Sequence, residues 1–105
     1  MVEVGEDNPL PVSQSTTGAP TDRSGTITTG ATAQPLMAAN GSRKGYLVYN
    51  SGAGDLWISD VGTAAATQPS IKIVAGAYYV ADIVSTGAIS IFGATTGQAF
   101  SAREW

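Results

Sequence analysis

Thirteen charged side chains, eight acidic and five basic, carry all the ionic chemistry of this 105-residue chain, which has no histidine and no cysteine. Histidine is the commonest catalytic base, the thiolate the most reactive nucleophile, and zinc sites draw on both. Carboxylates, hydroxyls and aromatic rings remain. Asp55 and Asp60 are the nearest approach to a paired-acid site of the kind that flanks a glycosidic bond. Five residues apart on a strand, they point to opposite faces and read as solvated turn acids. Gly52-Ala53-Gly54 is a glycine-rich turn without the continuation that cradles a phosphate. Asn50 and Asp55 flank it, with fewer ordered oxygen ligands than an EF-hand calcium loop demands. Asn40-Gly41-Ser42 fits a glycosylation sequon, which has meaning only on a secretory route. The residues imply no catalytic group, no cofactor and no metal.

The aromatic residues are the better lead. Trp57 sits in a strand-like run, Tyr78 and Tyr79 are adjacent and must face opposite ways, and Trp105 is the last residue. A stacked aromatic surface would bind sugar. The plainer reading makes Trp57, Tyr46, Phe92 and one of the two tyrosines core. Trp105 is expected to fold back on its own domain or to pack against a neighbour, since exposing so large an apolar ring has a cost.

The elements that must position these residues are strands. Candidate strands are Gly25-Thr29, Ala33-Ala38, Gly45-Asn50, Asp55-Asp60, Ser70-Val74, Ala77-Ile83, Ala88-Phe92 and Gln98-Arg103. Most are β-branched or aromatic and are closed by Gly, Asn or Pro. Ile71-Lys72-Ile73 and Ile89-Ser90-Ile91 alternate, as strands with one buried face do. Tyr46-Leu47-Val48-Tyr49 is apolar on both faces, as in a central strand covered twice. Val61-Gln68 reads as a loop with room for one helical turn. The fold class expected is all-β, a small antiparallel sandwich or barrel of about eight short strands.

Ahead of this domain (residues 25–105) lies a proline-marked arm (residues 1–24). Pro9, Pro11 and Pro20 bias their preceding residues toward extended geometry. Asn8-Pro9-Leu10-Pro11-Val12 therefore reads as a polyproline-like or edge-strand piece. Glu3, Glu6, Asp7 and Asp22 against Arg23 give the arm all of the net charge of -3, and the body is neutral. A neutral body excludes the phosphate neutralisation that nucleic-acid binding needs. No apolar run approaches the roughly 20 residues of a membrane helix, and the early acids do not make a secretory signal. A soluble protein made in the cytoplasm is expected.

Several runs, taken in order, resemble a family of small virion proteins of tailed bacteriophages and their prophages. They are Arg23-Ser24-Gly25-Thr26-Ile27-Thr28-Thr29-Gly30, Ala33-Gln34, Met37-Ala38-Ala39-Asn40, Gly54-Asp55-Leu56-Trp57-Ile58, Gly62-Thr63-Ala64-Ala65 and Gln68-Pro69-Ser70-Ile71. The end, Ile91 through Phe100 and then Ala102-Arg103-Glu104-Trp105, is similar too, as is the arm at residues 8–12. Pro35 and Lys44 depart from the pattern, which has a strand residue and Arg there. The resemblance implies a β-rich structural component of the particle and no enzymatic activity. The expectation is a capsid decoration or cement protein on the virion surface, with the major capsid protein or other virion subunits as partners. A homo-trimer follows from the resemblance and threefold capsid geometry. Asn8, Pro9, Leu10, Pro11, Val12 and Trp105 are the expected partner contacts. The alternatives are a head-fibre, neck or tail-tip adaptor that touches the host, and a carbohydrate-binding β-module using Trp57 and the tyrosines.

Overall fold

A computed structural model of the chain describes residues 19–105, which form an all-β fold. Nine strands follow one another: β1 (Thr21–Asp22), β2 (Gly25–Thr26), β3 (Gln34–Met37), β4 (Tyr46–Tyr49), β5 (Leu56–Ser59), β6 (Ile71–Ile73), β7 (Tyr78–Val80), β8 (Ile89–Gly93) and β9 (Ala99–Glu104). They make two antiparallel sheets. The first runs β1-β9-β4-β7, with β2 also paired to β9, and the second runs β3-β8-β5-β6. Only β5 and β6 are neighbours in both sequence and space, and every other link from β2 onward passes from one sheet to the other. Such links wrap the chain around one core between the sheets.

Period-2 alternation sets which side chains enter that core. On β9, Phe100, Ala102 and Glu104 turn inward while Ala99, Ser101 and Arg103 turn outward. On β5, Leu56 and Ile58 are buried; on β8, Ile89 and Ile91 are. The two inner faces meet in one cluster that includes Tyr46, Val48, Phe100 and Ala102 from the first sheet and Leu36, Met37, Leu56, Ile58, Ile73, Ile89 and Ile91 from the second. Each large apolar side chain so buried contributes about 1.5–3 kcal/mol relative to exposure.

Each of the eight expected strands overlaps an observed one, and Val61-Gln68 is a loop of bends and turns without a helical turn. Three details differ. Thr21 and Asp22 form a strand against Glu104 and Arg103, so the paired body begins at residue 21, ahead of the boundary expected at Gly25. β4 is covered on one face only: Tyr46 and Val48 are buried, but Leu47 is half-buried and Tyr49 exposed. Trp57 and Phe92 are not core. They sit opposite one another in the β5–β8 register, half-buried on the outer side, because Leu56, Ile58, Ile89 and Ile91 take the inner positions. Tyr46 is core, and Tyr79 packs against it with ring centroids 6.1 Å apart. The arm residues Asn8, Pro9, Leu10, Pro11 and Val12 lie outside the described residues.

Candidate functional site

The outer face of the first sheet is built by the residues that alternation leaves over. Leu47 pairs with Val80 and Tyr49 with Tyr78 across β4 and β7. Their side chains point away from the core, with Tyr49 38%, Tyr78 65% and Val80 42% exposed. Residues directly opposite in an antiparallel pair share a face, so these four form one contiguous apolar strip. Arg103, opposite Leu47, and Ser101, opposite Tyr49, edge it on the β9 side. Beyond β7 there is no further strand among the described residues, so the strip ends at a free sheet edge.

Trp105 closes the other end of this face. Its backbone exchanges hydrogen bonds with Gly45 in both directions, at 3.0 and 3.1 Å, continuing the β9–β4 ladder one pair further. Gly45 lacks a side chain where the indole lies: a Cβ there would come within 2.5 Å of Trp105 Cζ2. The ring therefore folds over its own chain, on the Arg103 side of the sheet as the β9 alternation requires, and stays half-buried. Of the expected partner contacts, Trp105 alone falls within the described residues.

Beneath this end sits a buried ionic centre that no local sequence signal marks. Glu104 is 2% exposed and accepts three hydrogen bonds: from Arg43 Nε at 2.8 Å, Arg23 Nε at 2.7 Å and Asn40 Nδ2 at 3.2 Å. Arg43, with its side chain fully buried, spends its other donors on carbonyl oxygens of Ser85, Gly87 and Ala38 at 2.6 to 2.9 Å. Burial alone would raise the Glu104 pKa. The hydrogen bonds from Arg43, Arg23 and Asn40 outweigh it and hold the carboxyl below its ordinary range. The centre ties β9 to the loops before β4 and after β7. Through Arg23 it also ties β9 to the segment that leads back to the N-terminal arm.

A second polar centre locks the turn between β4 and β5. Asn50 is fully buried; its Nδ2 donates to Gly54 O at 2.7 Å and Ile73 O at 2.8 Å. Its Oδ1 accepts from Gly52 N at 3.0 Å and Gln98 Nε2 at 3.2 Å. The Asn50 amide is thus consumed by structure rather than offered to a cation. Asn40 is used in the same way, its Oδ1 accepting from Ser42 N at 3.0 Å.

The two aspartates are separated by the whole of β5. Asp55 lies 3.4 Å from Lys72 Nζ, and Lys72 also stands 5.7 Å over the Trp57 ring. Asp60 accepts from the Tyr46 hydroxyl at 3.3 Å. Burial, reinforced by the Asp60 charge, pushes the Tyr46 and Tyr79 phenols above their ordinary pKa. Asp60, Tyr79, Asp82 and Ile83 line an open groove of about 460 Å³ along the inner side of the β7 edge. Among the described residues no three His, Cys, Asp or Glu side chains gather as a metal site would require. Trp57 faces outward from the second sheet and Tyr78 outward from the first, so they do not make one stacking platform. No helix of the described residues is long and apolar enough to cross a membrane. Comparison with protein-family models, curated proteins and solved structures finds no match to this chain.

Proposed function

We propose that this protein is a structural subunit of a bacteriophage virion, a decoration or cement protein on the capsid surface whose work is mechanical rather than catalytic. The observation that carries the reading furthest is the apolar strip of Leu47, Tyr49, Tyr78 and Val80. A sheet face of this kind, next to an edge that no strand of the described residues pairs, is what an assembling subunit presents and a solitary domain avoids. The resemblance of the ordered short runs to small phage virion proteins supports the same reading. The body would sit across capsomer junctions as a homo-trimer at threefold positions, with the arm reaching adjacent subunits. Repeated, symmetry-matched contacts multiply an affinity that one neutral domain could not reach alone. Quantitative mass spectrometry of purified particles tests this. Hundreds of copies per particle are expected; a handful would instead make it a neck, fibre or tail-tip component.

A further inference from the structure

The first sheet has two different ends. At one edge lies β1, from which the chain leads back through Pro20 and Ala19 toward the N-terminus; at the other lies β7, unpaired on its far side among the described residues. Asn50 N donates to Ala77 O, and Ala81 N donates to Tyr46 O. The Ala77 carbonyl, the Tyr79 backbone and the Ala81 N–H therefore face β4, while the Ala77 N–H turns back to Val74 O. By alternation the N–H and C=O groups of Tyr78 and Val80 point off the sheet. The edge carries no proline and no charge on Tyr78–Val80, the devices by which natural sheets blunt an edge.

The arm contains a segment whose chemistry fits such an edge. In an extended strand, residues two apart send their N–H groups to the same side. Pro9 and Pro11 lack that hydrogen, so one side of Asn8-Pro9-Leu10-Pro11-Val12 is dead for pairing. The other side keeps the donors of Asn8, Leu10 and Val12. A following proline also biases a residue such as Asn8 or Leu10 toward the extended region. The segment can therefore add to an edge on one side and stop further addition on the other. The faces agree as well. Leu10 and Val12, set opposite Tyr78 and Val80, would place their side chains on the outer face and widen the apolar strip. The two proline rings would fall on the inner side, where Tyr79 borders the 460 Å³ groove.

We infer that residues 8–12 of a neighbouring copy dock as an added strand on the free edge of β7, pairing with Tyr78 and Val80. The neighbour is the source because the arm leaves from the β1 edge, opposite β7 in the same sheet. A return to its own β7 would have to double back over three strand gaps of the outer face, about 15 Å, and is the competing outcome that the test below separates. A segment leaving one edge and received at the opposite edge is a head-to-tail contact, which closes into a ring when the rotation permits. Eight residues lie between Val12 and Thr21, and the nine steps from one to the other span up to about 30 Å when extended, against about 5 Å between paired strands. The inference rests on the subunit reading above only for the presence of adjoining copies.

A chain without cysteine makes the test clean. In the full-length protein, the pairs Leu10→Cys with Val80→Cys and Leu10→Cys with Tyr78→Cys would be oxidised at micromolar concentration and run on a non-reducing gel. Val80 and Tyr78 are 42% and 65% exposed, so neither change opens the core. At least one pair should give a ladder of linked chains that reduction collapses, and Val12→Pro, which removes a donor on the pairing side, should abolish it. Single-chain bands from both pairs, whether unlinked or closed within one chain, overturn the inference. A ladder from a protein found in only a few copies per particle would overturn the capsid role and leave the strand exchange standing. High copy number without a ladder would do the reverse.

Discussion

Glu104 and Arg43 show how a chain with few charges spends them. The pair is buried, and each partner has further hydrogen bonds to satisfy it. A buried pair contributes little against an apolar replacement, but removing one member strands the other in a low-dielectric interior. Glu104→Ala should therefore cost about 3–5 kcal/mol in urea unfolding, far more than the few tenths expected at an exposed pair. Lys72 and Asp55, each about half exposed, are such a pair, and Lys72→Ala should lose under about 1 kcal/mol. The pH dependence carries a sign. Because the folded pKa of Glu104 is lowered, its contribution is complete above the ordinary glutamate value near 4.3 and fades as pH falls through the folded value. The gap in unfolding free energy between the parent and Glu104→Gln should be widest at neutral pH and narrow on acidification below about pH 4. A gap constant down to pH 2.5 would mean that Glu104 is not the titrating group.

At the scale of elements, what the sequence makes legible is local. Ile71-Lys72-Ile73 and Ile89-Ser90-Ile91 alternate because each has one face in the core, and both are strands. β1 escapes such reading because Thr21 and Asp22 are both exposed and polar. They are strand only because β9 offers them backbone partners and Arg23 reaches Glu104, 81 residues away. Trp57 misleads for the opposite reason: a large ring attracts a core assignment, while the parity of Leu56 and Ile58 puts it outside. The Asn50 lock is invisible too, since it joins three segments that meet only in the fold. It yields its own prediction. Asn50→Ala leaves the buried Ile73 carbonyl without its side-chain donor and takes one of two donors from the Gly54 carbonyl, which keeps Gln98 Nε2 at 2.7 Å, so it should cost about 1–3 kcal/mol. Asn50→Asp should not rescue it, because the carboxylate has no N–H to give. Equilibrium unfolding of the two variants side by side checks this.

For the whole molecule, the question is where the body ends and the arm begins, and two truncations answer it. Beginning the chain at Ala19 preserves β1, Arg23 and Ser24. Beginning it at Gly25 removes all three. The second cut takes the Arg23 donor from buried Glu104 and the Arg23 N–H to Ala102 O bond of 2.8 Å. It also removes the Ser24 hydroxyl that accepts from Ala102 N at 3.0 Å. A hydrogen bond to a charged group is worth about 1.5–3 kcal/mol, and a neutral one about 1. The chain starting at Gly25 should therefore unfold about 3–5 kcal/mol more easily than the chain starting at Ala19. Both lack residues 1–18, so any contribution of those residues cancels in the comparison, and what remains is the anchoring of the arm's root. The position of that root also bears on assembly. Arg23 and β1 fix the exit of the chain to the edge opposite β7, so the arm's direction of departure is set by the same contacts that stabilise β9. Loosening the root with Arg23→Ala should lower stability and also weaken any contact the arm makes with another subunit, even with residues 1–18 intact. If particle binding by Arg23→Ala equals that of the parent, the root and the reach of the arm are independent, and the anchoring serves the fold alone.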